Sequence, residues 1–399
     1  MRVLKTVQSY YPFQDRGGPV VKVRALARSL AHRGHRISVL TADLGLSLHS
    51  WGKLHIENCP FGWRAEEEGV EAIYLPTVGH FRALTINPGL MKFCDASLKQ
   101  YDLVHFYGLY DLFGPVVSSF CRRSGIPYVI EPMGMYRPID RSFRLKHMWH
   151  RLLGASYVRS AKRIVATSEV ERRDLLEEGV PPDKIVIRYN GVEVDRSGIG
   201  FSRGSFRAKW AIPPNDKVIL FLSRLIPRKG ADILIEAFAK ACPQSGTLVI
   251  AGPEGQPGYV NYLKKCAEEN RVANRVIFTG PVYDVDKASV YCDSDVFVLA
   301  SRYENFANVV AEAVACDIPV IVSNMCGIHS LVEGRAGIVT SVEPDSIAVA
   351  LQQLLVDQSL YARLKVGCRA VAEELTWGTL SGQMENCYSD VLAHSKRIQ

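Results

Sequence analysis

Several things are missing from this 399-residue chain, and each absence removes a class of function. There is no C-x-x-C pair and no His/Cys cluster at zinc spacing, so the ten cysteines do not read as a structural metal site. Scattered over so long a chain, they read as reduced, mostly buried thiols of a cytosolic protein. No run of roughly 18 apolar residues exists, so no segment is expected to span a bilayer. The first residues, Met1 to Val7, enter a strand-like run without the three-part pattern of a secretory signal. No G-x-G-x-x-G is found, which weakens a dehydrogenase reading. No short-period repeat, RNA- or DNA-binding motif, or Gly/Ser-rich linker is present.

What remains is a globular composition, 47% hydrophobic and 22% charged, with a formal charge of +7. The length exceeds one ordinary core and favours two domains. Short β-branched runs alternate with helix-length segments throughout. They fall at Val3–Val7, Ile37–Thr41, Ala72–Leu75, Leu103–Phe106, Tyr128–Glu131, Ile164–Thr167 and Ile185–Arg188, then at Val218–Leu222, Thr247–Ala251, Val276–Thr279, Val296–Ala300 and Val320–Ser323. Continuously apolar short strands separated by amphipathic helices mark parallel sheets covered on both faces. The fold class expected is therefore α/β, with two Rossmann-like doubly wound domains, which the family resemblance given below implies are facing across a cleft. The turn Asn190-Gly191 marks the break. The expected division is 1–195, 196–375 and a C-terminal helix, 376–399, whose crossing back to the first domain is implied only by the family resemblance given below.

Ligands of open α/β sheets bind beyond the C-terminal ends of the strands, so chemistry is sought in the loops there. After the first strand, Gly17-Gly18 precede a helix from about Val20 to Arg33. Paired glycines at a helix start suit a phosphate, although a flexible turn gives the same pattern. After Val218–Leu222, Arg224 and Lys229 stand just before the next helix, where the dipole disfavours cations. Two such cations can neutralise a diphosphate; two solvated surface cations is the plainer alternative. After Val296–Ala300, Glu304 lies in a loop and Glu312 in an apolar helix starting near Ala307 or Asn308. A carboxylate in such a helix needs a partner. Either a sugar diol or an Arg of the same domain can supply it. Asp293-Ser294-Asp295 imitates a metal-binding pair but precedes its strand, and so reads as a turn.

Taken together, these signals resemble the retaining glycosyltransferases of family 4, which have the GT-B fold. The resemblance covers nearly the whole chain. It also runs through Arg33-Gly34-His35, Asp102-Leu103-Val104-His105, Pro132-Met133-Gly134-Met135, Thr167-Ser168-Glu169, Tyr189-Asn190-Gly191-Val192 and Pro319-Val320-Ile321. It implies that Arg224 and Lys229 hold a donor diphosphate, that Glu304 contacts the transferred sugar and that Glu312 binds the ribose hydroxyls. It further implies that Gly17 and Gly18 approach the diphosphate from the first domain, and that backbone amides of Phe306, Ala307, Asn308 and Val309 cap it. No metal and no cofactor is expected, the nucleotide sugar being a co-substrate. Four positions depart from the family's pattern. Tyr107 stands where a second histidine is usual after His105, and Met133 replaces histidine before Gly134. Ala307 and Asp317 stand where glycine is common. His105, Tyr107, Met133 and Gly134 are the candidate sugar or acceptor pocket.

The resemblance implies transfer of a hexose-type sugar from a UDP- or GDP-sugar to a glycan or lipid-linked acceptor, in cell-surface polysaccharide or glycolipid assembly. The rival readings are an epimerase or hydrolase on the same fold, and a non-catalytic scaffold or nucleotide-sugar-binding subunit. Arg137 to Arg163 carries eight Lys/Arg against Asp140 alone, interleaved with residues such as Met148, Trp149 and Tyr157. Such a stretch suits an anionic membrane surface, or a helix with its apolar face on the core. The expected location is cytoplasmic, peripheral on the inner face of the membrane.

Overall fold

The structure is a computed structural model that describes residues 1–13, 18–45, 54–81, 84–136, 148–149, 154–193, 204–241 and 246–396. The chain forms two compact units. One comprises Met1–Asn190 with Trp377–Gln399, and the other Gly191–Thr376.

The first unit is built on a nine-stranded sheet. From one edge its strands are Ile185–Ile187, Arg163–Ala166, Tyr128–Glu131, Leu103–Tyr107, Arg2–Thr6, Arg36–Ala42, Val70–Leu75, Gly62–Glu67 and Ile56–Cys59. The first seven pair in parallel, with Val3 opposite both Ile37 and Leu103. The last two add on antiparallel. Parallel strands are buried on both faces, which is why Val3, Leu4, Val39, Leu103, Val104 and Val129 are inaccessible to water. The antiparallel pair escaped the sequence reading because Trp63-Arg64-Ala65-Glu66-Glu67 has no apolar run; only Ala65 is buried. A small hairpin, Gly79–Phe81 with Leu84–Ile86, escaped for the same reason.

The C-terminal helix Trp377–Lys396 belongs to this unit. It lies against the helix Gly18–His32, where the Ser29 hydroxyl donates to Ser381 Oγ at 2.8 Å. Glu385 accepts from Arg33 Nε at 2.7 Å and lies 3.2 Å from His35 Nε2. The Arg33-Gly34-His35 segment is thus occupied in holding this helix. Gly34, at φ +86°, ends the preceding helix in the left-handed conformation that favours glycine.

The second unit has a six-stranded, all-parallel sheet in the order Val276–Gly280, Gly246–Ala251, Lys217–Leu222, Val296–Leu299, Val320–Ser323 and Gly337–Thr340. Chain order reverses between Lys217–Leu222 and Val296–Leu299, which pair through Ile219–Val296 and Leu220–Phe297. In the first unit it reverses between Arg2–Thr6 and Leu103–Tyr107. At such a switch point the two connections leave to opposite sides and open a crevice beyond the strand ends. Asp293 and Asp295 lie at the opposite end of the second sheet. Asp293 accepts from the amides of Phe206 and Arg207 at 2.8 and 3.1 Å, capping the helix Ser205–Lys209. Asp295 accepts from the Val218 amide and from Arg207 Nη2, both at 2.9 Å.

Candidate active site

The switch point of the second unit gathers the candidates that the sequence had scattered over almost ninety residues. Leaving Lys217–Leu222, the chain stays extended, held by Ser223 N to Ala251 O at 3.1 Å and Leu225 N to Pro253 O at 2.9 Å. Arg224 stands exposed on this stretch. A single 3₁₀ turn, Pro227–Lys229, follows. Gly230 then closes against the neighbouring strand end: a β-carbon there would sit 2.0 Å from the Ala300 carbonyl oxygen, at a backbone φ of +75°. Only glycine admits that approach. Arg302 N donates to Arg228 O at 2.8 Å, and the Arg302 guanidinium pairs with Asp232 at 3.0 and 2.7 Å. The two loops are therefore locked side by side.

The consequence is that Lys229 forms an ion pair with Glu304, the two side chains being 12% and 20% exposed. Glu304 is fixed through its backbone as well, donating to Met325 O at 3.0 Å and accepting from Gly327 N at 2.9 Å. Phe306 and Ala307 are buried, Asn308 is exposed and Val309 half-buried at the start of the helix Asn308–Ala315. Ala307 precedes it at φ +82°, without a side-chain cap. Asp317 follows it at φ +58°. Both departures from the family's glycines fall on left-handed backbone, which accounts for glycine being usual there.

Glu312 lies on the half-exposed face of that helix; Val310, Ala311, Ala313 and Val314 face the core. Its carboxylate already has protein partners, Lys287 Nζ at 2.8 Å and the Tyr291 hydroxyl at 2.8 Å. The expected choice between a diol and an Arg thus resolves differently: the partners within this unit are a lysine and a tyrosine. Neither was legible, because they lie on another helix, Asp284–Cys292.

In the first unit, Gly18 opens the helix Gly18–His32, whereas Gly17 lies outside the described residues. A cavity of about 360 Å³ lies beyond the strand ends at this unit's switch point, with Gln8, Val20, Tyr107, Asp111, Met133 and Met135 in its lining. Burial pushes the Asp111 carboxyl up to about 6. Tyr107 and Met133 come together as grouped in the sequence; His105 and Gly134 do not join them. The Gly134 amide is taken by Glu171. His105 is completely buried, stacked on the Tyr107 ring at 4.2 Å, with Nδ1 2.6 Å from the Tyr388 hydroxyl. Burial first, then Lys5, Arg188 and Lys22, push its pKa well below the ordinary 6.5, so the ring is neutral. Its 3.7 Å separation from Glu131 is too long for a hydrogen bond. The expectation that His105 lines a sugar or acceptor pocket is corrected: no face of it reaches solvent.

Behind the cavity is a buried charge cluster that the sequence reading missed. Glu131, fully inaccessible, pairs with Lys22 and with Arg188 Nη2. Lys5 Nζ donates to the Tyr107 hydroxyl at 2.6 Å. The available signal was a charge inside an apolar strand, Lys5 within Val3-Leu4-Lys5 and Glu131 after Val129-Ile130. Of the Arg137–Arg163 stretch, most lies outside the described residues. Arg159 and Lys162 are exposed. Trp149 donates its indole N–H to Leu109 O at 2.9 Å, and Tyr157 is 1% exposed against Phe106 and Tyr128. These two aromatics serve the protein interior. No helix among the described residues is long and apolar enough to cross a membrane.

Two α/β units, each built on a largely parallel sheet with a switch point, are the architecture of the GT-B fold. Comparison with known proteins agrees. Residues 17–191 match the family described as Glycosyl transferase 4-like domain, and residues 202–369 match Glycosyl transferases group 1. The chain belongs to the group 1 glycosyltransferases of family 4. It is 28% identical over 397 residues to a D-inositol 3-phosphate glycosyltransferase of Xylanimonas cellulosilytica, spanning 94% of this chain and 92% of that one. HepE of Anabaena, solved with UDP, superposes with a TM-score of 0.76 at 21% identity, covering 98% and 100% of the two chains. Sucrose-phosphate synthase of Thermosynechococcus elongatus superposes at 0.72 and 20% identity, covering 98% and 99%.

Proposed function

We propose that this glycosyltransferase moves a hexose-type sugar from a UDP- or GDP-sugar to a glycan or lipid-linked acceptor, with retention of anomeric configuration and without a metal ion or other cofactor. The observation that carries the reading is the Lys229–Glu304 pair at the switch point, with Arg224 on the same loop. In this reading Arg224, Lys229 and the amides from Phe306 to Val309 take up the charge that grows on the departing diphosphate. Oriented donors in a site with little water stabilise that charge without reorganising. Glu304 orients the sugar and Glu312 receives the ribose. The acceptor lies against Tyr107 and Met133. HepE, solved in complex with UDP-glucose, supports a nucleotide-sugar donor. The relatives named D-inositol 3-phosphate glycosyltransferase support glycosyl transfer as the reaction. We further propose a place in cell-surface polysaccharide or glycolipid assembly, with the enzyme cytoplasmic and peripheral on an anionic membrane through the basic stretch Arg137 to Arg163.

Calorimetric titration with UDP, GDP and ADP tests the donor half. One nucleotide is expected to bind in the micromolar range, and Arg224→Ala/Lys229→Ala to weaken it at least roughly a hundredfold. Equal binding by the double variant overturns the placement of the diphosphate.

A further inference from the structure

We propose that the first unit holds a second, non-catalytic anion site at the N-terminal ends of its strands Tyr128–Glu131, Arg163–Ala166 and Ile185–Ile187, which takes the phosphate groups of a phosphorylated ligand.

A cavity of about 580 Å³ lies there. Its wall is formed where Pro127, Lys162 and Lys184 lead into the three strands, and by the C-terminal helix at Val391 and His394. Every residue of the lining belongs to the first unit. Substrates of such sheets enter beyond the opposite, C-terminal strand ends, where the cavity beside Tyr107 and Met133 opens. The two cavities share no residue. A ligand held here therefore sits apart from the transfer itself.

Charge gives the ligand's class. Arg122, Arg159, Lys162, Arg163 and Lys184 line the cavity, and Asp183 is the one acid in its lining. Arg163 Nη1 donates to Lys162 O at 2.9 Å, Lys184 Nζ to Arg159 O at 2.7 Å, and Arg122 Nη1 to Ser118 Oγ at 3.3 Å. Those acceptors are neutral. Among the described residues, neither these three cations nor Lys162 forms an ion pair. Strand register brings two of them together: Ile164 pairs with Ile185, so Arg163 and Lys184 stand at adjacent positions on neighbouring chain segments. Like charges side by side repel. Helix dipoles draw Arg122 to the end of Phe113–Ser124 and Arg159 to the end of Ala155–Arg159. They do not account for Lys162 and Arg163, which lead into a strand.

An anion in the cavity relieves this repulsion. A carboxylate brings one charge, whereas a phosphate ester brings nearly two, with three acceptor oxygens. Guanidinium groups match those oxygens two at a time. A lipid headgroup and a soluble phosphate ester both offer the group, and the experiment separates them.

The test uses the full chain carrying Arg224→Ala/Lys229→Ala, which removes the competing cations of the second unit. Inorganic pyrophosphate is titrated calorimetrically. Sedimentation is measured with phosphatidylcholine vesicles, with and without phosphatidic acid. Pyrophosphate is expected to bind, and Arg163→Gln/Lys184→Gln to weaken it by roughly tenfold or more. Lys264→Gln/Lys265→Gln, on an exposed helix face of the second unit, should change it less than about twofold. Sedimentation that requires phosphatidic acid and is lost in Arg163→Gln/Lys184→Gln assigns the site to a headgroup. Pyrophosphate binding without sedimentation assigns it to a soluble ester. If Arg163→Gln/Lys184→Gln does not fold, Lys162→Gln replaces it, with an expected loss of about threefold. The inference fails if neither probe binds, if succinate binds as tightly as pyrophosphate, or if the two double variants lose affinity equally. UDP, GDP and ADP titrations of Arg163→Gln/Lys184→Gln, with Arg224 and Lys229 intact, should match wild type, so a failure here leaves the donor placement standing.

Discussion

Lys229 and Glu304, seventy-five residues apart, form an ion pair across two loops that leave adjacent parallel strands. The pair is held by its surroundings rather than by its own attraction. Gly230 permits the backbone approach, and the Arg302–Asp232 pair clamps the loops. A partly exposed ion pair contributes little to stability. Holding a cation and a carboxylate side by side at a switch point does, however, suit a ligand that is a phosphate on one side and a sugar on the other.

Replacing Glu304 by Gln separates these roles. The change frees Lys229 from its carboxylate without altering shape. Nucleoside diphosphate affinity should hold or tighten, while the sugar-transfer rate falls by roughly a hundredfold. Titration against initial-rate measurement distinguishes this from a structural role, in which the two would fall together.

Ala307 is held at φ +82° immediately before a helix, where a β-carbon is unfavourable. Ala307→Gly relieves this, at the cost of a more flexible unfolded chain. A net gain of about 0.5–1 kcal/mol is expected, read as a higher urea midpoint. Asp317→Gly, at φ +58°, also gives up the pair with Arg369 and should come out nearly neutral. A destabilised Ala307→Gly would mean that the methyl packs better than its backbone is strained.

Lys22 predicts an unusual dependence on pH. Burial lowers its pKa from 10.5 to about 8, against the raising effect of Glu131, with Arg188 lowering it further. Between those two values the unfolded chain keeps a proton that the folded chain has released. Stability therefore rises from pH 8 towards 10.5, and the contribution is flat below pH 8, where both states are protonated. Lys22→Met should reduce this rise, the remainder coming from Lys5, which burial also holds well below 10.5. Urea midpoints at pH 7.5, 9 and 10 check it; an identical slope in both proteins would exclude Lys22 as the source.

Asp293 accepts backbone hydrogen bonds at the start of a short helix, with no accessible surface. Asp293→Ala should cost about 1–3 kcal/mol by stranding those amides. Specific activity of the folded fraction should remain, and wild-type activity should persist in excess EDTA. Inactivation by EDTA, restored by a divalent cation, would contradict the metal-independent reaction proposed above.

Much of this protein was determined by sequence alone. Continuously apolar β-branched runs can only be buried on both faces, so twelve strands and their parallel character were legible to within a residue or two at each end. Arg224, Lys229 and Glu312 stood out because they break local rules of charge placement, and Glu304 only through the family resemblance. Tertiary structure decided the rest, since side-chain partners are set by which strands lie side by side and no local pattern encodes that. Lys229 meets Glu304 because Lys217–Leu222 pairs with Val296–Leu299. Glu312 meets Lys287 and Tyr291 because two helices pack against each other. His105, read from sequence as a pocket residue, faces inward because the C-terminal helix brings Tyr388 to it across 283 residues of chain.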